Sequence, residues 1–366
     1  APAPSSVADG GGGYVPSLAS SRLSLISPSS GLAALRRILF AYKSAVTSLH
    51  AFDLDGCLAH VGRLGERQKS SVLASRIRGR AHFEKGEYGK AKSHLELAHR
   101  LRPSSVSGLD ILSTAYWHLK QEVPLSFLGR TSTELSKYKP EPWIVAGNCF
   151  SLQKEHDLAL KFFRRATSLD PNFTYGHTLA GHEYVSNEDF VNAIRCFRLA
   201  IAADPRHYNA WYGLGAIYYR QEKYALAEYH FRRAIRVNPC SGVLRCHLGM
   251  VLHAGKRHYD ALEALESAFE IEPANPQAKY QLATVLMSLE RYEEALASLL
   301  SVRDSAPREA SVHFLIGKVH KKLGDNDAAM ISFVRALDLD PKDNNLIKAA
   351  IDRLDEPDVE EDVSGF

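Results

Sequence analysis

The stretch YNAWYGLGAIYYRQEKYALAEYHFRRAIRVNP, residues 208–239, decides the fold. Two runs with apolar residues at helical spacing flank the polar segment Arg220-Gln-Glu-Lys223, and a proline ends the second run. Small residues stand at Gly215, Ala227 and Ala234, and large ones at Tyr218 and Phe231. Moving 34 residues in either direction returns the same kinds of residue.

Pro171, Pro205, Pro239, Pro273, Pro307 and Pro341 are each 34 residues apart. Pro103 keeps the register, and Lys137 stands where one proline is missing. One small-residue column reads Gly79, Ser113, Gly147, Gly181, Gly215, Gly249, Ala283 and Gly317. Others pass through Ala91, Ala159, Ala193 and Ala227, and through Ala98, Ala166, Ala200 and Ala234. Phe163, Phe197, Phe231, Leu265, Leu299 and Phe333 form a column of large residues. Two antiparallel helices per period explain this pattern. Small side chains mark where neighbouring helices approach most closely, rings fill the space beside them, and proline stops the second helix because it lacks an N–H. The residue before it is often Asp or Asn, as at Asp170, Asp204, Asn238 and Asp340, which suits a turn.

A 34-residue period with these columns resembles the tetratricopeptide repeat. The expected fold is all-α, a right-handed α-solenoid of eight to nine helix pairs with a capping helix. Eight repeats are expected over 72–343, the second of them degenerate, after a more degenerate helical pair within 32–71 that keeps small Ala45 and Cys57 in register. Residues 344–354 carry Ile347, Ala350, Ile351 and Leu354 on one face and read as the terminal cap a solenoid needs. Residues 1–31, rich in Ser, Pro, Gly and Ala, read as a disordered linker, and 355–366 as an acidic tail. The opening Ala-Pro-Ala-Pro has neither methionine nor a signal-peptide pattern and reads as the interior of a longer protein.

Composition narrows the function. The formal net charge is only +3, against a nucleic-acid binder; the basic stretch Arg63 to Arg80 reads as solvated helix faces. No apolar run reaches the roughly 18 residues of a membrane span. Cys57, Cys149, Cys196, Cys240 and Cys246 make no C-x-x-C pair, and the odd number gives no disulfide framework, so they read as reduced thiols of an intracellular protein, with Cys149 and Cys196 buried. The sixteen histidines lack metal-ligand spacing, and His177, His182, His207 and His230 are expected on different repeat faces. No cofactor or metal is expected. Phe52-Asp-Leu-Asp-Gly56 is similar to the aspartyl loop of haloacid-dehalogenase-type phosphatases, but its flanks read as helices rather than a buried strand, so Asp53 is expected to cap a helix. A non-enzymatic role follows.

The tetratricopeptide-repeat resemblance implies that the first helix of each pair lines a concave groove. Positions two, five, nine and twelve of that helix share the face. They are Ser107, Asp110, Thr114 and Trp117 in the second repeat, and Glu141, Ile144, Asn148 and Ser151 in the third. Tyr175, Thr178, His182 and Val185 follow in the fourth, and Asn209, Tyr212, Ala216 and Tyr219 in the fifth. Aromatic, amide and acidic groups suit an extended peptide, and Trp117, Tyr175, Tyr212 and Tyr219 are of the types enriched at binding hot spots. Ile144 stands where chaperone-binding repeats would carry a lysine beside Asn148.

Longer blocks carry a closer resemblance. Gly147-Asn-Cys-Phe-Ser-Leu-Gln-Lys-Glu-His-Asp157, Gly181-His-Glu-Tyr184, Pro205-Arg-His-Tyr-Asn-Ala-Trp-Tyr-Gly-Leu-Gly215 and Phe314-Leu-Ile-Gly-Lys-Val-His-Lys-Lys-Leu-Gly324 are similar to the subunit 3 family of the anaphase-promoting complex, in its C-terminal repeat half. This resemblance implies a non-catalytic scaffold of a ubiquitin ligase acting in cell division, in nucleus and cytoplasm. Its groove would receive the C-terminal Ile-Arg tails of coactivators, and other subunits would be partners. Homodimerisation would run through an N-terminal half absent from this sequence. On that reading Asp110 or Glu183 takes the arginine, Asn148 and His182 the carboxylate, and Trp117, Tyr175 or Tyr212 the apolar contact, with Tyr219 further along the groove. The alternatives are an interaction adaptor of another assembly, such as the targeting repeats of a glycosyltransferase, or a phosphatase using Asp53 and Asp55.

Overall fold

A computed structural model describes residues 28–273, 275–339 and 344–354. Pro341 and Asp340 of the repeat register, the stretch 1–27 and the acidic tail 355–366 lie outside the described residues. Among the described residues there are twenty helices and no strand.

The helices come in antiparallel pairs. The first pair is α1 (Pro28–His50) and α2 (Leu54–Gly62), followed by the single turn α3 (Glu66–Lys69). Repeats one to four are α4 (Val72–Glu84) with α5 (Tyr88–Leu101), α6 (Leu109–His118) with α7 (Glu122–Leu135), α8 (Pro140–Leu152) with α9 (His156–Leu169), and α10 (Thr174–Ser186) with α11 (Phe190–Ala203). Repeats five to eight are α12 (Tyr208–Arg220) with α13 (Tyr224–Val237), α14 (Gly242–Ala254) with α15 (His258–Ile271), α16 (Pro276–Ser288) with α17 (Tyr292–Ser305), and α18 (Ala310–Lys322) with α19 (Asn326–Asp338). The helix α20 (Asn344–Asp352) closes the stack and, with Leu354 just beyond it, buries Ile347 and Leu354 against Phe314 and Phe333. Each pair packs on the next, which makes an α-solenoid.

Helix α1 begins at Pro28, inside the stretch read as linker, and at 23 residues it is longer than any other helix here. Its pairing with α2 buries Ala45 and Cys57 completely. Asp53 caps α2 by accepting the Gly56 N–H at 3.0 Å.

The turn inside every pair has one geometry. Phe52, Gly86, Lys120, Lys154, Glu188, Glu222, Lys256, Glu290 and Gly324 recur every 34 residues, and all have positive φ. In repeat five the Lys223 N–H reaches back to the Tyr218 carbonyl at 2.9 Å, closing a left-handed helix end. Seven of these nine residues carry a side chain in a region that favours glycine. Six of the seven are Lys or Glu, and the seventh is a phenylalanine.

The glycine column faces the ring column within each pair. A Cβ on Gly181 would stand 2.7 Å from the Phe197 ring, and one on Gly215 would stand 2.9 Å from Phe231. Gly249 meets Leu265 and Gly317 meets Phe333 in the same way. The second repeat departs from this: Ser113 occupies the glycine position and Gly129 the ring position. Helix α6 starts late and has ten residues where the other first helices of repeats have thirteen. The degeneracy read from sequence is therefore the loss of the ring, with a buried hydroxyl in place of the glycine.

Candidate groove on the first helices of each repeat

That hydroxyl organises the groove floor. The Ser113 Oγ donates to the Asp110 carbonyl at 2.7 Å and accepts from the Asn148 Nδ2 at 2.9 Å. The same Nδ2 donates to Thr114 Oγ1 at 2.9 Å, and Tyr175 Oη donates to Thr114 Oγ1 at 2.7 Å. Helices α6, α8 and α10 are thus tied by the side chains of Ser113, Thr114, Asn148 and Tyr175. Asn148 is buried, with 3% exposure, so its amide is a structural brace rather than a free groove donor.

A second chain runs from the groove wall inward. Trp117 Nε1 donates to Ser151 Oγ at 3.1 Å, Ser151 Oγ donates to Glu183 Oε1, and the His156 ring nitrogen contacts Glu183 Oε2 at 2.6 Å. Glu183 is buried, with both carboxylate oxygens engaged inside the protein. It is placed to hold Trp117, not to meet a ligand's cation. Trp117 is the one clearly exposed ring of the four expected on the groove; Tyr175, Tyr212 and Tyr219 are half-buried. Tyr212 Oη bonds His247 Nε2 at 3.1 Å, and Tyr219 packs beside Tyr224.

The acidic residues of the groove are Glu84, Asp110 and Glu141. Burial raises the Asp110 carboxyl above the usual carboxylate range, and the neighbouring Glu141 charge adds to the rise. Burial likewise raises Glu84, against the nearby Arg80 guanidinium and the Tyr208 hydroxyl, which donates to Glu84 Oε2 at 2.9 Å. A buried Glu141 oxygen has no hydrogen-bond partner in the protein. Tyr175, Tyr88 and Tyr208 stand around these carboxylates and feel the Glu84 charge. The arrangement is an acidic, tyrosine-walled pocket with the Arg80 guanidinium close by; its three carboxyls outnumber that cation, which suits a further guanidinium.

Asp110, Asn148 and Tyr175 are therefore brought together, with Asn148 buried beneath the groove rather than on it, and Trp117 and Glu183 are linked through Ser151. Glu84, Tyr88 and Tyr208 were missed. They occupy the last position of a first helix, the start of a second helix and the first position of a first helix. The two-five-nine-twelve face omits these edges. His182 and His207 are not on separate faces: they lie close enough that the His207 charge disfavours a proton on His182. Cys149 and Cys196 are half-buried rather than buried.

The histidines give the stack a pH response. Burial pushes His182, His207, His230, His247 and His253 each down to about 4. Unfolded histidine titrates near about 6.5, so between these values the unfolded chain binds more protons. Their contribution to stability is complete above about 6.5 and is lost as pH falls toward 4. The raised carboxyls Glu84 and Asp110 act in the opposite sense but are outnumbered. The melting temperature should drop between pH 7 and pH 5; a flat thermal-shift profile over that range would refute the histidine account.

Comparison with known proteins places the fold and the sequence separately. Models described as tetratricopeptide repeat match residues 140–173, 178–239, 252–319 and 310–343. The chain is 40% identical over 169 residues to "Cell division cycle protein 27 homolog A" of Arabidopsis thaliana, covering 46% of this chain and 23% of that protein. It is 42% identical over 125 residues to "Anaphase-promoting complex subunit 3" of Schizosaccharomyces pombe, covering 34% of this chain and 19% of that protein. These matches span about a quarter or less of the relatives' length. A crystal structure of the APC/C hetero-tetramer Cut9-Hcn1 superposes with a TM-score of 0.71, covering 86% of this chain and 62% of that one. At 14% identity that likeness is one of fold.

Proposed function

Because the chain belongs to the tetratricopeptide-repeat proteins and is homologous to the Cdc27 and anaphase-promoting complex subunit 3 line, we propose that it is a scaffold subunit of that ubiquitin ligase. Its groove receives the C-terminal Ile-Arg tails of coactivators. The observation that carries this reading is the pocket of Glu84, Asp110 and Glu141 walled by Tyr88, Tyr175 and Tyr208.

An arginine side chain adds a second cation beside Arg80 to a cluster of three carboxyls. Burial raises the Asp110 and Glu84 carboxyls, and an entering guanidinium offsets that cost by charge and by contact with the tyrosine faces. Trp117, braced through Ser151, offers an apolar contact for the isoleucine. On this reading His182, which rests on the Phe197 ring, donates to the terminal carboxylate. The other subunits of the ligase would dock elsewhere on the solenoid, and nuclear and cytoplasmic residence follows from that role.

Fluorescence anisotropy of labelled peptides ending in Ile-Arg or Ile-Glu tests the reading. Saturable binding of the first and not the second is expected. Equal affinity for both, or none for either, would leave an interaction adaptor with another ligand.

A further inference from the structure

Residues far apart in the chain meet between the first helix pairs and the junction of repeats four and five. Arg206 Nη2 donates to the His50 carbonyl at 2.7 Å, although 156 positions separate them. The Phe52 and Tyr208 rings meet edge-to-face with centroids 5.3 Å apart. Tyr208 Oη, in turn, donates to Glu84 at 2.9 Å across 124 positions. The α1–α2 turn and the end of α4 therefore touch the start of α12, and the arc from α1 to α12 returns onto itself.

The backbone at Phe52 bears on why this contact exists. Its φ is +58°, at the turn position repeated through the solenoid. Elsewhere that position holds glycine or a short-range polar choice, Lys or Glu. A bulky aromatic there is strained, and strain of this kind persists where the surroundings over-determine it. The Tyr208 ring and the Arg206 to His50 bond supply those surroundings.

We propose that Phe52, Arg206 and Tyr208 form a clasp that closes the groove into a ring, and that the ring makes the groove selective for a free chain end. A closed ring admits a peptide only by threading. A tail enters end-first, whereas the same residues within a longer folded chain enter only when the clasp opens. Their apparent affinity is then reduced by the open fraction. Tyr208 links the clasp to the pocket: a guanidinium at Glu84 competes with its hydroxyl, so an occupied pocket loosens the ring.

This inference rests on the tail-binding reading, and the experiment separates the two. Three probes are titrated into the whole chain: an Ile-Arg tail with a free carboxylate, the same tail amidated, and the tail continued on both sides into small folded domains. The amidated and continued probes both lack the carboxylate, so their difference reports threading alone. The continued probe is expected to bind at least about tenfold more weakly than the amidated one, with the difference abolished in Phe52→Ala and in Arg206→Ala. Equal binding of the two by the parent protein overturns the clasp while leaving the tail site standing. Failure of the carboxylate tail to bind overturns both. A benzophenone amino acid in place of Phe52 reads closure without any peptide. A cross-link to residues 206–211 is expected, and its absence overturns the clasp even if tails bind.

Discussion

Phe197→Ala should cost about 3–5 kcal/mol of stability, at the upper end of what one side chain contributes. The ring is fully buried, and glycines flank it on both sides: Gly181 from its own repeat and Gly213 from the next. His182 also rests on it, with ring centroids 5.1 Å apart. Truncation removes the apolar transfer energy and leaves a cavity. The glycines carry no side chain that could swing in to fill it, so collapse would require two helices to move. Because a solenoid's stability is shared between neighbouring repeats, the interface between repeats four and five should weaken as well. Urea unfolding followed by circular dichroism measures the loss. A midpoint shift equivalent to less than 1 kcal/mol, by the magnitudes typical of such truncations, would mean that the column is not a tight packing contact.

The second large effect concerns binding. Glu84→Gln with Asp110→Asn keeps the pocket's shape and removes two of its charges. Affinity for an Ile-Arg tail should fall by roughly 2–3 kcal/mol, or about 30- to 150-fold. Folding should not suffer. Both carboxyls are raised by burial, so neutral amides relieve a desolvation cost. Isothermal titration calorimetry beside a melting curve separates the two quantities. Unchanged affinity would remove Glu84 and Asp110 from the tail site, and a collapse in melting temperature would reassign them to structure.

Much of the solenoid is legible without coordinates, because its interactions are short in sequence. A glycine at one position and a ring sixteen residues later meet inside one helix pair, as Gly215 and Phe231 do. Such pairs recur with the period, so the columns identify both the helices and their packing faces. The groove was legible only in part. Counting along a helix placed Asp110, Asn148, Tyr175 and Trp117 on one face. It did not reveal that Asn148 lies beneath that face holding Ser113 and Thr114, or that Glu183 is consumed by Ser151 and His156. Depth is a tertiary property, set by how tightly adjacent first helices wind.

The sequence by itself determined the 34-residue period, the paired helices it repeats and the small-against-large packing within most pairs, while the first pair begins earlier than the sequence suggested. Only the tertiary structure decided that Glu84, Asp110 and Tyr208 share a pocket and that Phe52 meets Tyr208. The reason is cumulative rotation. Each repeat turns slightly against the last, and several such turns bring residues more than a hundred positions apart to one rim. No local pattern of side chains encodes that sum.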